Sequence, residues 1–513
     1  MKKIFIPLLT VAVLVSIIFA GCVPGAAPTP PVTPPPVTPP GAPVIPPPVT
    51  PPEVAEKFGL ADIPEIGNKT PLHIIIEAGA FCDKIIPYFE NFTEATGVPT
   101  SYETHGSIVL YSKQMPEIMA RTGWYDLLYI ETAWTVEFTQ FTYRVEDLAN
   151  QYDPGGWEAA LSDIQFQSPA LMRCCSDRDG NVSALPYYCY DMTMWFRQDV
   201  FDDPTEQASF KAKYGYDLAP ADTQPQLRDQ AEFFTRKKGE LLKGEVLDHD
   251  VWGVGMMAGA YQINDEISSR IWGKGSDYAT VVRDADGNVV EFVITKRNKE
   301  ILIETMTEYI DLLQFASPGC LTANYDFPCA EFAEGRCIIL PTEFVCIVNW
   351  AIGDMMAEKM PEARVGFYPT IGRRPYTGCW SQGVCLDSKN PEAAYWLSRY
   401  LGSYEVQMAL TLDGWPTTRM DVLADPIFFT PELIHPAGLV NQYCIDIWEE
   451  TAGAPHGYYY FNTLVGGKVY EMQMDVLHKA VSGERTIEGM VRELVDEIIM
   501  LETKFGDIPI REE

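Results

Sequence analysis

Short apolar runs alternate with helical segments in the first third of this 513-residue chain. Leu72 to Ile76 is apolar and too short for a helix, and the segment after it repeats apolar residues at helical spacing up to Gly97. Val98 to Tyr102 is again extended in character, and a helical segment at 110–120 precedes the run Asp126 to Ile130. Strand, helix and strand in this order build a parallel α/β unit. The sequence therefore predicts an α/β fold.

Polar and aromatic residues follow two of these predicted strands. Glu77 to Phe81 comes after the first strand, and Glu131 to Trp134 comes after the strand that ends at Ile130. Ligands of parallel sheets bind beyond the carboxyl ends of the strands. We therefore expect these two segments to lie near a ligand site.

The N-terminus has the layout of a signal peptide. Lys2 and Lys3 precede an apolar run from Ile4 to Ala20, and Gly21 leads into Cys22. Small residues before a cysteine resemble the lipobox of secreted lipoproteins, so residues 1–22 are predicted to be a lipoprotein signal peptide with lipid attachment at Cys22. An uncleaved anchor helix is the alternative, because the run is nearly long enough to span a bilayer.

A Pro-rich segment follows the predicted signal peptide. Prolines fix the backbone φ angle and remove hydrogen-bond donors, which favours a semi-stiff polyproline II spacer. We assign residues 23–65 to this linker and predict that it holds a folded body outside the cytoplasm.

Charge and residue spacing exclude several classes of protein. The chain carries 71 acidic and 38 basic residues, a formal net charge of −33, and the acids are spread along it. Nucleic acid is an improbable partner for such a chain, because phosphates require clusters of lysine and arginine. The six histidines are scattered and no cysteine pair has CxxC spacing, so no metal site is predicted. Of the 12 cysteines, 11 follow Cys22, and their disulfide pattern stays open.

Catalytic signatures are absent from the sequence. There is no GxSxG, HExxH or GxxxxGK[ST] motif, so neither a catalytic residue nor a cofactor is predicted. A carboxylate pair for glycoside hydrolysis stays open as an alternative, because the many acids guarantee accidental pairs.

The stretch TGCWSQGVCLDSKNPEAAYWLSRYL, residues 377–401, holds a further predicted strand and helix. Two glycines flank the segment with Trp380, which we interpret as a loop whose indole meets a ligand. Val384 to Leu386 is the predicted strand. Asn390 is a suitable N-cap and Pro391 a suitable first residue for the helix behind it.

This strand–SKNPEAA–helix unit resembles that of extracellular solute-binding proteins of ABC importers, of the maltose-binding type (family 1). The segments Ala184 to Phe196 and Cys329 to Trp350 resemble the first interlobe crossing and the helix–Gly–strand–Trp segment of that family. Residues 469–501 resemble its closing helix pair, so the resemblance covers about residues 70–503. Gln224-Pro225-Gln226 departs from the pattern, because the family often has a tryptophan there.

The resemblance implies a two-lobed fold of the periplasmic-binding-protein type (type II). Each lobe would be a mixed sheet flanked by helices, and several crossings would connect the lobes. We assign residues 66–187 and 383–435 to lobe I, and residues 188–382 and 436–505 to lobe II.

The resemblance also places a set of side chains in the cleft between the lobes. For each tryptophan in the set, burial in a core is an equally open interpretation. The predicted ligand-binding residues are Glu77, Phe81, Glu131, Trp134, Tyr190, Glu343, Trp350, Trp380 and Trp415.

The function that the resemblance implies is capture of a small solute and its delivery to an ABC permease. The protein would be a monomer, anchored by lipid to the extracellular face of the cytoplasmic membrane or in the periplasm, without catalysis or cofactor. A sugar or oligosaccharide is favoured by the aromatic residues. A polyamine or other cation is the alternative solute, from the acidic balance. A surface-tethered carbohydrate-active enzyme and a structural cell-surface protein are the alternatives from other classes.

Overall fold

The structure is a computed structural model that describes residues 57–79, 82–451 and 457–513. The predicted signal peptide with Cys22, the linker up to residue 56 and Phe81 lie outside these residues. Among the helices of the described ranges, none has the length and apolarity that crossing a bilayer requires.

The strands of the described residues are mostly short. In chain order they are β1 (Leu72–Glu77), β2 (Thr100–His105), β3 (Leu127–Glu131), β4 (Leu185–Cys189), β5 (Met192–Arg197), β6 (Leu241–Leu242), β7 (Glu245–Val246), β8 (Trp252–Val254), β9 (Thr280–Arg283), β10 (Val289–Ile294), β11 (Cys337–Phe344), β12 (Val365–Tyr368), β13 (Cys379–Val384) and β14 (Ile510–Glu512).

The helices vary more in length, and short 3₁₀ or π-helical turns join several of them. In chain order they are α1 (Ile86–Thr96), α2 (Ser107–Met119), α3 (Thr135–Phe138), α4 (Val145–Tyr152), α5 (Gly156–Ile164), α6 (Pro169–Cys174), α7 (Gln198–Phe201), α8 (Pro204–Tyr214), α9 (Gln224–Phe234), α10 (Ile263–Gly273), α11 (Lys296–Leu312), α12 (Asp326–Ala333), α13 (Ala357–Lys359), α14 (Pro391–Leu401), α15 (Tyr404–Leu412), α16 (Met420–Leu423), α17 (Leu439–Thr451), α18 (Gly466–Val481) and α19 (Ile487–Phe505).

A five-stranded sheet contains the first strands of the chain, in the order β2-β1-β3-β13-β4. Strand β1 is parallel to β2 and to β3, with Ile74 opposite Tyr102 on one side and Leu127 on the other. Strand β13 is antiparallel to both β3 and β4. Ile74 and its two following isoleucines are fully buried, as expected for central strands of a sheet covered on both faces. The predicted parallel α/β unit is therefore confirmed.

A second sheet of four strands has the order β12-β5-β11-β8, and smaller sheets of three and two strands accompany it. Strand β5 is antiparallel to β11 and β12, whereas β8 is parallel to β11. The hairpin of β9 and β10 turns at Gly287, whose φ of 92° lies in the left-handed region that favours glycine. The molecule is thus a mixed α/β fold with separate sheets, as predicted.

Two short segments connect the two large sheets. Tyr190 and Asp191 join β4 of the first sheet to β5 of the second, and residues 369–378 join β12 back to β13. The first segment is only two residues long, so the ends of β4 and β5 lie close together. The residue bounds assigned to the two lobes stay a prediction.

Two segments differ from their predicted structure. The segment with Trp380 is strand β13 rather than a loop. Within Cys329 to Trp350 the sequence predicts a strand at 337–340 with Glu343 in the loop and helix after it, but strand β11 extends to Phe344 and includes Glu343. Gly383 explains the first error: a Cβ there would lie 2.8 Å from Cδ1 of Ile130. Glycine at this position allows close packing within a sheet, which a sequence pattern does not distinguish from a loop.

The predicted helix cap at Asn390 is present: Asn390 accepts a hydrogen bond from the Ala393 N–H at 3.3 Å at the start of α14. At the start of α19, Thr486 likewise accepts a hydrogen bond from the Gly489 N–H at 3.1 Å. Such caps satisfy N–H groups that have no partner within the helix.

Candidate functional site

A cavity of about 50 Å³ lies where the first sheet meets elements attached to the second. The carboxyl ends of β1 and β3, the crossing residue between β4 and β5, and the starts of α10 and β13 all contribute to its wall. Its lining residues are Glu77, Ser107, Glu131, Tyr188, Tyr190, Tyr261, Gln262, Asp265, Tyr325, Phe344, Cys346, Trp380 and Tyr470. This is the edge of a parallel sheet where ligands bind.

Two glutamates end the parallel strands at this cavity. Glu77 is the last residue of β1, and its Oε2 accepts a hydrogen bond from the Tyr188 hydroxyl at 2.7 Å. Glu131 is the last residue of β3, and its Oε1 accepts hydrogen bonds from the hydroxyl groups of Tyr190 and Tyr376, the latter at 2.9 Å. Burial raises the pKa of Glu131 to about 7, although these hydrogen bonds favour the charged form. Burial raises the pKa of Glu77 as well.

Helices α10 and α18 bring two more carboxyl groups to the same region. Asp265 accepts hydrogen bonds from the Tyr470 hydroxyl at 2.9 and 3.1 Å. Burial, together with the charge of Glu131, raises the pKa of Asp265 well above its ordinary value. Burial and then the charge of Glu131 raise the pKa of Glu471 to about 7. The carboxyl groups are therefore close enough to interact, and the charge of Glu131 makes ionisation of Asp265 and of Glu471 less favourable.

Aromatic rings form the remaining wall of the cavity. Trp380 lies on β13 between Glu131 of β3 and Tyr188 of β4 in the sheet register. Its ring centroid is 4.4 Å from that of Tyr129 and 6.2 Å from that of Tyr190. Large flat rings held in place by neighbouring rings are suitable surfaces for a ligand to stack on.

The position of Tyr190 depends on a close approach to Gly378. A Cβ atom at residue 378 would lie 2.2 Å from Cε2 and 2.4 Å from the hydroxyl oxygen of Tyr190. The Tyr190 backbone N–H also donates to the Gly378 carbonyl at 3.1 Å. Residue 378 therefore has to be glycine for the crossing between β4 and β5 to pack against β13.

We expect Gly378→Ala to destabilise the protein by about 1–3 kcal/mol, because the added methyl group forces the Tyr190 ring to move. Chemical denaturation measures this change in the free energy of unfolding. Gly67→Ala is the matched control, because a Cβ at Gly67 meets nothing within 4 Å. Equal stability of the Gly378 variant and the wild type would contradict the close packing described above.

Four of the nine predicted ligand-binding residues line the cavity: Glu77, Glu131, Tyr190 and Trp380. Trp134 and Trp415 lie behind the lining, with Trp134 against Trp380 at 5.5 Å between ring centroids and Trp415 against Tyr188 at 4.9 Å. Their contacts support the rings that face the cavity.

The other three predicted residues are elsewhere. Glu343 is buried on β11 beside the cavity residue Phe344, and its carboxyl group accepts the Phe344 N–H at 2.9 Å. Trp350 is half-buried in the π-helical segment Asn349–Met356. Phe81 lies outside the described residues. Contact of any of the nine residues with a ligand stays a prediction.

Sequence patterns did not predict most of the lining residues that come from the second half of the chain. Tyr261, Gln262 and Asp265 come from the start of α10, and Tyr325 and Tyr470 come from segments far apart in the sequence. The run Asn264-Asp265-Glu266 lies in a helix that is buried on all sides, and this burial is known only from the structure. Buried acidic residues of this kind usually have a specific partner or a function.

The donor set of the cavity does not fit a metal ion. Within the described residues, no three histidine, cysteine or acidic side chains are arranged to hold one.

A larger and more open depression of about 680 Å³ lies beside α10 and α11. It contains the ring stack of Trp272 and Tyr458, 3.9 Å apart, together with Arg297, Arg374 and Glu450. It lies away from the carboxyl ends of β1 and β3, so the smaller cavity is the better candidate for the site of a parallel α/β fold.

By sequence, no protein-family model and no curated protein matches this chain. By structure, it is similar to an ABC-transporter solute-binding protein of Agrobacterium radiobacter K84 in complex with ribitol. The TM-score is 0.65, at 16% identity over 85% of this chain and 98% of that chain. The maltose-bound MalE3 of T. maritima is similar at a TM-score of 0.62 and 16% identity, over 84% of this chain and all of that chain. The fold is that of the ABC-transporter solute-binding proteins.

A third structure of the same kind agrees with this result. The solute-binding protein of Agrobacterium vitis S4 with bound D-mannitol has a TM-score of 0.62 and 15% identity, over 85% of this chain and 99% of that chain. The family resemblance predicted from the sequence is confirmed at the level of the two-lobed fold.

Proposed function

We propose that this protein is the solute receptor of an ABC importer and captures a small hydroxylated solute of the sugar class. The observation that carries the proposal is the cavity at the carboxyl ends of β1 and β3, which has hydrogen-bonding carboxyl groups on one side and Trp380 and Tyr190 on the other. Such a combination of flat apolar rings and a few fixed polar groups is typical of sites for small polar ligands. Ribitol, maltose and D-mannitol in the three similar structures support the sugar class.

Capture would require the cavity to open and close. Its volume of about 50 Å³ has room for a few water molecules, whereas typical ligand pockets measure roughly 300–1,000 Å³. The short crossings at Tyr190-Asp191 and residues 369–378 are suitable hinges, because a few extended residues can absorb the change in backbone angles. The solute would bind the open form and stabilise the closed form through its additional contacts there.

The N-terminal features complete the proposal. Lipid attached to Cys22 would hold the protein at the extracellular face of the cytoplasmic membrane, or in the periplasm, and the Pro-rich linker at 23–65 would space the body from the bilayer. The closed receptor, a monomer with the lobe bounds assigned above, would present its solute to the permease subunits. Glu77, Glu131, Tyr190 and Trp380 are the residues we propose for direct contact.

A thermal-shift screen over sugars and polyols tests this function. A solute at 100 times its Kd adds about 2.7 kcal/mol to the stability of the folded protein, so its melting temperature should rise by a few degrees. Mass spectrometry of the recovered solute separates the receptor from the carbohydrate-active enzyme, because a receptor returns the solute unaltered. No shift with any solute, or a product of changed mass, would contradict the proposal.

A further inference from the structure

Four tyrosine hydroxyl groups at or near the cavity donate to its own carboxyl groups. Tyrosine hydroxyls donate as follows: Tyr188 to Glu77, Tyr190 and Tyr376 to Glu131, and Tyr470 to Asp265. A carboxylate has about four lone-pair positions and cannot donate. When ionised, the carboxyl groups therefore keep unused acceptor positions, which suit a ligand group rich in donors.

A cationic partner for these carboxyl groups is also absent from the described part of the chain. Among the described residues that line the cavity there is no lysine, arginine or histidine. Within the described residues, the strongest interactions of Glu77, Glu131 and Asp265 are with neutral hydroxyl groups, backbone N–H groups, a thiol or other carboxyl groups. The nearby Glu137, which does not line the cavity, has an ion pair with Lys468. Buried carboxylates without a counter-charge are unfavourable, and a cation from the ligand would offset this.

Gln262 is a second and independent polar group at the cavity. It lines the wall and is 7% exposed, and its Oε1 accepts the Tyr325 N–H at 2.8 Å. That bond fixes the orientation of the amide, because a backbone N–H requires an acceptor. The amide NH₂ then has no partner among the described residues, and it is available to donate to an oxygen of the ligand.

The cation that fits this cavity is organic rather than inorganic. No three of the described acidic, histidine or cysteine side chains are arranged to hold a metal ion, so the carboxyl groups do not converge on one point. A protonated amine on a carbon framework can bind carboxyl groups that are spread around the cavity, because it donates up to three hydrogen bonds and can lie against an aromatic face. Trp380, Tyr190 and Phe344 supply such faces.

We propose that the solute carries a protonated amine in addition to hydroxyl groups, with the amine against Glu131 and Asp265 and a hydroxyl oxygen at the Gln262 amide. Amino sugars and amino polyols are the chemical class with both features. The inference rests on the proposed receptor function and specifies its substrate class.

Matched solute pairs test the inference on the unmodified, full-length protein. Glucamine and sorbitol differ by one amine in place of a hydroxyl group, as do glucosamine and glucose. Isothermal titration calorimetry near neutral pH should give at least a roughly tenfold lower Kd for the amine of each pair, the effect of about one charged hydrogen bond. Equal or tighter binding of the neutral members would overturn the inference and leave the receptor function intact. Binding of neither series would count against the receptor function itself.

The variant Glu131→Gln tests whether the preference for the amine arises in this cavity. It keeps the shape of the side chain and removes the charge, so the Kd of glucamine should rise at least roughly tenfold more than the Kd of sorbitol does. Glu502→Gln is the matched control, because Glu502 is also buried and accepts from the hydroxyl groups of Tyr459 and Thr463, outside the cavity. An unchanged amine preference in Glu131→Gln would overturn the inference. Should that variant fail to fold, the comparison of solute pairs on the wild type still tests whether the solute carries an amine.

Discussion

Trp380→Leu should weaken binding of the solute by at least roughly 30-fold, about 2 kcal/mol, because the ring forms one wall of the cavity and buried aromatic contacts dominate binding energies. Leucine keeps the position apolar but leaves much of the indole volume empty. The variant should therefore also lose about 2–4 kcal/mol of stability, since Tyr129 and Trp134 lose a packing partner. Calorimetric titration with the tightest solute of the screen measures the first effect, and chemical denaturation measures the second.

Trp396→Leu separates the two effects of the Trp380 substitution. Trp396 lies on α14, is 1% exposed and stacks on Phe58 at 5.9 Å between ring centroids, outside the cavity. Its substitution should reduce stability by a similar amount and change the Kd of the solute by less than about twofold. Similar losses of affinity in both variants would mean that Trp380 acts through stability alone, and the cavity would then not be the binding site.

The free energy of unfolding should fall as the pH rises from about 4.5 to about 7, which is the second large effect. Burial raises the pKa values of Glu131 and Asp277 to about 7, above their ordinary values of 4.5 and 3.8. When folding raises the pKa of an acid, the acid contributes its full stabilisation of the folded state below the pKa that it has in the unfolded chain. This stabilisation is lost as the pH rises to the pKa that the acid has in the folded state. For Glu131 the shift corresponds to about 3 kcal/mol.

Other groups set the acidic limit of this pH window. The pKa values of Glu103 and Asp199 are lowered to about 2, because hydrogen bonds and opposite charges outweigh the effect of burial. Their stabilisation is present above about pH 4 and is lost as the pH falls towards 2. Denaturation curves at about pH 5 and pH 7.5 should show the lower stability at the higher pH, and Glu131→Gln should reduce that difference. The same pH difference in the variant would contradict a buried, titrating Glu131.

The sequence was sufficient to predict the α/β fold and its main caps. Apolar runs such as Leu72 to Ile76 form strands because only a sheet buries so short a run, and Asn390 caps α14 as its position before Pro391 predicts. The predicted position of strand β13 was wrong, because Gly378 and Gly383 allow close packing against neighbouring residues rather than a turn.

The sequence predicted only those cavity residues whose position follows from the order of neighbouring strands and helices. Glu77 and Glu131 follow parallel strands, so the rule for strand ends brings them to the cavity. Asp265, Gln262 and Tyr470 reach it through the tertiary placement of α10 and α18, which no local pattern encodes. Whether a tryptophan faces the cavity or supports its wall depends on which side of the ring is covered, and this also requires the fold.

The most direct measurement is a crystal structure of the protein with the tightest amine-bearing solute of the calorimetric series. We expect density for the solute between Trp380 and the carboxyl groups of Glu131 and Asp265, with the two sheets closed around it. Solute density in the open depression at Trp272 and Tyr458, with the cavity at Trp380 empty, would contradict it.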